Sequence, residues 1–287
     1  METEKNWFLR QELDLDIDLV IRRKIKDSTS SDIASSIFTN IKRQLEDFLY
    51  ISFQNLNDKA IILSEYVKLI SNLTEISNTK IVKGESNLKR ISSNFPIIII
   101  SNHFGIVPLT LIDNSDQKFP WPLKEIGVFP VRLSSLNLLS KKSNIKLFEV
   151  ATELPEPMAI IQRATPSILI PINTTHKSQI LINEAKDVIQ NNENAGIIVY
   201  PEGGISGKLN HGGPYDLDTF HTGVFLLAKQ LNLQILPVCQ YFNPNSGFEL
   251  DILKPVSPIE INLNNLKTIS ERTQKKMQES LNNLHNN

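Results

Sequence analysis

The chain is short of the residues that build several common kinds of site. Cys239 is the only cysteine among 287 residues, so neither an intrachain disulfide nor a cysteine metal cluster is open to it. It lies in the apolar run Ile235, Leu236, Pro237, Val238, where a small buried hydrophobe is the expected role. A charge excess is missing too: 30 Lys and Arg face 31 Asp and Glu, for a net charge of -1. Duplex binding usually needs a clear cationic surplus, which argues against nucleic acid as the main partner. The longest strongly apolar stretch, Pro96 to Ile100, is far too short to span a bilayer. Met1 to Asp18 is charged and contains no apolar signal-peptide core. The expectation is a cytoplasmic protein whose membrane contact is peripheral, on the inner face.

What is present suits an ordinary globular chain. Hydrophobic residues make up 40% and charged residues 21%, and the length suffices for one large α/β domain with a helical extension. Two regions separate by pattern. Residues 1–94 read as mostly helical, with no glycine before Gly84. Ile37, Ile41, Leu45, Phe48 and Leu49 recur at helical spacing, as do Ile61, Ile62, Tyr66, Leu69 and Ile70. Ser30 or Ser31 is the candidate cap of the first helix. Leu13, Leu15, Ile17 and Leu19 alternate with aspartates in a strand-like way that Val20 and Ile21 blur.

Residues 95–287 change to short apolar runs between turn-rich loops and helices. Strands are expected at Pro96 to Ser101, Ser167 to Asn173, Ile197 to Tyr200, Gln234 to Gln240 and Phe248 to Leu253. Helices are expected at Ile180 to Asn191, Gly223 to Leu231 and Leu266 to Leu284. Alternation of such strands with helices indicates a layered α/β sheet. Phe119 to Thr165 contains five prolines, which argues against one long helix and suggests a lid or an irregular insertion.

Two segments carry the residues for chemistry. Ser101, Asn102, His103, Phe104 and Gly105 follow directly on a buried-looking strand. Open α/β sheets commonly place ligands just past the carboxyl ends of their strands, and histidine is the side chain best suited to take a proton near neutral pH. Read alone, His103 is as well explained as a residue that bonds its own loop. The second segment runs Tyr200, Pro201, Glu202, Gly203, Gly204, Ile205, Ser206, Gly207, Lys208. Its glycines let backbone amides approach a ligand, and Lys208 offers a point charge for a phosphate. The plain alternative is a glycine-rich turn with a solvated lysine. The segment is no nucleotide P-loop, because Leu209 follows Lys208.

Together these segments resemble the glycerol-phosphate and lysophospholipid acyltransferase family. Asn102 and His103 match the family's first block; Tyr200, Pro201, Glu202 and Gly203 match its third, with Gly204 in place of threonine. Phe220, His221, Thr222 and Gly223 stand where the family has a phenylalanine, a basic residue and a glycine opening a helix. Ile235 to Val238 and Asp251 to Pro258 follow the order of its last strands. The resemblance spans roughly Phe95 to the C-terminus. It departs at Pro108, where the family has a carboxylate that orients the histidine, and at Ile205, where an arginine is usual. In the second block, near Ile168 to Asn173, the family's arginine is also missing, with Arg163 upstream and Lys177 downstream.

The resemblance implies an acyltransferase-like α/β fold, a layered mixed sheet flanked by helices, preceded by the N-terminal helical extension. It implies fatty acyl transfer in phospholipid biosynthesis, from coenzyme A or acyl-carrier protein to a glycerol-phosphate or lysophospholipid-type hydroxyl. No bound cofactor and no metal are implied, the thioester being a co-substrate. His103 is then the general base, with Glu202 the first candidate to replace the missing carboxylate, ahead of Asp113 and Asp116. Asn102, Gly203, Gly204, Ser206, Lys208 and His221 are the expected substrate contacts. The remaining histidines at 176 and 211 read as loop residues, and Arg22, Arg23, Lys24 and Lys26 as a basic cluster for anionic lipid or a solvated helix face. Two other readings stay open: a catalytically silent lipid or acyl-carrier binding protein, and a thioester hydrolase.

Overall fold

The computed structural model describes residues 32–91, 95–103, 135–154, 156, 158–171, 174–204, 206, 215–243 and 245–285. The Leu13 to Leu19 segment, the basic cluster at 22–26 and the cap candidates Ser30 and Ser31 lie outside them.

Two helices come first, α1 (Asp32–Gln54) and α2 (Lys59–Ile76). The Asp58 carboxylate starts α2 by accepting the N–H groups of Ala60 and Ile61 at 3.0 and 3.1 Å, two of the donors a helix start leaves without partners. Ile41, Leu45 and Leu49 pack with Ile62, Leu69 and Leu73, all buried, and Phe48 meets Tyr66 edge-on at 6.1 Å. Next come β1 (Lys80–Lys83) and α3 (Glu85–Ile91). Gly84 joins them at φ +77°, where a Cβ would lie 1.8 Å from the carbonyl oxygen of Ile252. That turn tolerates no side chain.

The remaining elements are β2 (Ile97–Ser101), α4 (residues 135–143), β3 (Lys146–Thr152), α5 (Met158–Arg163), β4 (Ser167–Ile170) and α6 (Lys177–Asn191). They continue with β5 (Ala195–Val199), α7 (Gly223–Leu231), β6 (Gln234–Asn243), β7 (Gly247–Ile252), a 3-10 turn (Pro258–Glu260) and α8 (Leu266–His285). Among the described residues these strands form one seven-stranded mixed sheet in the order β1-β7-β6-β2-β5-β3-β4. The five strands from β6 to β4 are parallel; β7 turns back against β6, and β1 runs parallel to β7.

Helices cover both faces. Side chains of α1 to α5 join Ile97, Ile99, Ile198, Leu236, Val238, Phe248 and Leu250 in one core cluster. Side chains of α6, α7 and α8 join Ile98, Ile100, Ile197, Ile235 and Cys239 in the other. Ile97 to Ile100 are fully buried, as a strand inside a parallel sheet with both faces covered must be.

The layered α/β architecture and its mixed sheet match the expected fold class. Two segments correct the sequence reading. Residues 80–83 form an edge strand within a region read as mostly helical. Residues 135–163 hold α4, β3 and α5 instead of an irregular insertion; residues 119–134 lie outside the described set. Lys146 and Glu149 disguised β3, and the five prolines of that stretch lie outside the described residues. No helix among the described residues is long and apolar enough to cross a membrane.

Candidate functional site

The chemistry-bearing loops leave the sheet side by side. β2 pairs in parallel with β5, Ile100 lying opposite Val199, so Ser101 to His103 and Tyr200 to Gly204 exit at the same edge. The chain order reverses around β2 here: β3 lies beyond β5 on one side, and β6 lies on the other. Such reversals open a crevice at the carboxyl ends of the strands.

Glu202 ties the loops together. Its Oε1 accepts the main-chain N–H of His103 at 3.3 Å and the hydroxyl of Ser206 at 2.7 Å. Its Oε2 accepts the N–H of Asp218 at 2.9 Å. Ser206 in turn donates its own N–H to the His103 carbonyl at 3.0 Å. Glu202 is only 3% exposed, and burial pushes its carboxyl up from 4.5 to about 7. Hydrogen bonds from Ser206, Asp218 and His103 oppose that rise, and the nearby Asp218 charge adds to it.

The His103 ring meets the edge of Tyr200, with centroids 4.9 Å apart and planes at 74°. On the far side of the second loop, the turn at Gly203 has φ +68°, and a Cβ there would lie 2.9 Å from Cδ2 of His221. The bare glycine lets that imidazole lie against the turn. The main-chain N–H of His221 donates to the Pro201 carbonyl at 2.8 Å, which fixes the start of α7 beside the loop. Among the described residues, nothing lies within 4 Å of where a Cβ of Gly204 would be.

The expected site residues therefore fall into three groups. His103, Glu202, Gly203, Ser206 and His221 are brought together, with Gly204 at their margin. Asn102 is next to them but fully buried; its amide exchanges two hydrogen bonds with the Gln240 main chain, at 3.0 and 2.8 Å. It holds the loop to β6. Lys208, His211, Ile205, Pro108, Asp113 and Asp116 lie outside the described residues. Glu202 differs from expectation in how it acts. Its carboxylate grips the main chain of His103, so it sets the position of the loop.

Arg163, upstream of the block that lacks the family's arginine, pairs with Glu153 and Glu156 at 2.5 and 2.8 Å on the surface. Cys239 is fully buried and its thiol is pushed up to about 12 by burial, which makes it a poor nucleophile. Among the described residues no three of His, Cys, Asp and Glu converge as metal ligands.

Several site-building residues escaped the sequence reading. Gln274 and Gln278 on α8 reach back to the segment before α7: Gln274 donates to the carbonyls of Leu217 and Asp218, and Gln278 accepts the N–H of Leu217 at 2.7 Å. They thereby fix the residue whose N–H meets Glu202. Their spacing of four along a helix was a visible signal; their target was not. Glu149 on β3 is fully buried. A lone glutamate in a strand gives no sign of this. No family model and no curated protein matches the chain.

Proposed function

We propose that the protein is an acyltransferase, moving a fatty acyl group from a coenzyme A or acyl-carrier protein thioester to a hydroxyl of a glycerol-phosphate or lysophospholipid-type acceptor. The observation that carries this reading is the Glu202 carboxylate, which bridges the two loops and sets His103 beside the glycine turn at one sheet edge.

His103 takes the proton of the acceptor hydroxyl as its oxygen attacks the thioester carbonyl. The tetrahedral oxyanion collapses, the carbon–sulfur bond breaks, and the departing thiolate receives the proton back from the imidazolium. Positioned proton transfer of this kind supplies roughly 100- to 10,000-fold in rate. Backbone donors aimed at the oxyanion stabilise it. The N–H of Gly203 already donates to the Tyr200 carbonyl at 3.1 Å, so the role falls to the N–H of Gly204, the next in the turn. His221 lines the same turn as an acceptor contact. The protein would meet lipid at a membrane surface, without spanning it.

Replacing His103 with Ala tests the reading. Thioester turnover with a lysophospholipid acceptor should fall at least about 100-fold while the fold, followed by circular dichroism, is retained. Turnover within twofold of the parent overturns it. A second reading, a silent lipid or acyl-carrier binding protein, is favoured by one observation: both oxygens of Glu202 are taken up by main-chain and hydroxyl donors. That reading predicts lipid binding by both proteins and thioester turnover by neither. Release of free fatty acid without acceptor would point to a hydrolase.

A further inference from the structure

Beneath the His103 loop lies a polar network that the chemistry above does not use. Gln240 is fully buried in β6, on the face it shares with Leu236, Val238 and Phe242. An aliphatic residue is the default in such a place, because a buried amide costs several kcal/mol unless each of its groups is bonded. Here they are bonded, and three of the four bonds go to Ser101 and Asn102, the two residues before His103. Its Nε2 donates to Ser101 Oγ at 2.7 Å, and that hydroxyl donates onward to the Val238 carbonyl at 2.9 Å. Its Oε1 accepts the hydroxyl of Ser135 on α4. Its main-chain N–H donates to Asn102 Oδ1 at 2.8 Å, and its carbonyl accepts from Asn102 Nδ2 at 3.0 Å.

The last regular pair between β2 and β6 is Ser101 with Val238. Beyond it, the Asn102 side chain continues the ladder by imitating a peptide group against Gln240. Ser101, Asn102, Ser135 and Gln240 are all fully buried, so water does not compete for these bonds. Because Asn102 immediately precedes His103, fixing it to β6 fixes the direction in which the chain delivers the imidazole. Glu202 and Ser206 hold the main chain of His103 from the opposite side.

We infer that Gln240 is a positioning residue for His103, acting through Ser101 and Asn102 from a strand remote in sequence. This rests on the acyltransferase reading for its effect on rate, though the geometric effect stands apart from it. Small displacements of a catalytic group cost up to about 100-fold in rate without loss of fold.

The experiment is Gln240→Leu, compared with the parent in two measurements. One is the main-chain amide resonance of His103 by NMR; the other is thioester turnover, separated into kcat and KM. Gln240→Glu keeps the length and the acceptor for Ser135 but removes the donor to Ser101, and is read in the same way should the leucine variant not fold. The expected result is a displaced His103 resonance, kcat lowered at least about tenfold, and KM for the thioester within about twofold. An unmoved resonance in a folded variant overturns the inference, whether or not turnover falls. A displaced resonance in a protein whose turnover His103→Ala leaves untouched keeps the geometric claim and overturns the acyltransferase reading instead.

Discussion

Two regions of the sheet bury carboxylates in different ways. At the parallel centre, Glu202 stands just past the end of β5, and two of its three partners are main-chain N–H groups of other segments. At the antiparallel edge, Glu249 and Asp251 stand inside β7, where the ladder already satisfies the backbone. Their partners are side chains: Glu249 meets Lys80 Nζ at 3.1 Å and Ser246 Oγ at 2.7 Å, and Asp251 accepts Ser280 Oγ at 2.6 Å. A carboxylate at a strand end can collect backbone donors from loops that must be held in place, while one inside a strand can only recruit neighbouring side chains. The first arrangement builds a site and the second joins elements. Glu249 ties β7 to β1, and Asp251 ties it to α8.

The sharpest way to break this contrast is Glu202→Ala. It removes the acceptor of the His103 N–H, the Ser206 hydroxyl and the Asp218 N–H together, each loss costing about 1–3 kcal/mol. Urea unfolding should show a loss of at least about 3 kcal/mol, accompanied by loss of turnover. Full activity in this variant would mean that the loops hold themselves.

The pH dependence comes next. The Glu202 carboxyl ionises near 7 in the folded protein against 4.5 for an ordinary carboxyl, so between these values the native state holds a proton that the unfolded chain has lost. Its contribution is fully present below about pH 4.5 and is lost as pH rises through about 7, by as much as about 3 kcal/mol. Glu202→Gln removes the titrating group, and the difference between variant and parent unfolding free energies should change across this window with that sign. A difference that stays flat with pH contradicts it.

The smallest effect belongs to the edge. Ser280→Ala removes one hydrogen bond to a buried carboxylate and should cost about 2 kcal/mol by urea unfolding, with thioester turnover unchanged. A fall in turnover here would erase the distinction between the two regions.

Much of the fold was legible where the local pattern and the tertiary environment agree. Four consecutive isoleucines announced β2, and α7 runs from Gly223 to Leu231 as its spacing required. β1 was hidden because a four-residue edge strand flanked by lysines looks like any solvated segment. β3 was hidden because a wholly buried Glu149 contradicts the apolar pattern of an inner strand. At the site, the order of blocks brought His103 and Glu202 to attention. The way Glu202 acts was not legible, since a carboxylate that binds main chain leaves no partner residue type to look for.

By itself the sequence determined the two loops, their glycines and the strands that carry them, because hydrophobic periodicity and turn chemistry are written in neighbouring residues. Only the tertiary structure decided which groups those loops lean on. Gln240 lies 138 positions from Asn102, and Gln278 lies 61 from Leu217. A buried hydrogen bond records nothing of its partner's position in the chain, since its energy depends on distance and exclusion of water. Those bonds come into existence only when the sheet has brought its strands side by side.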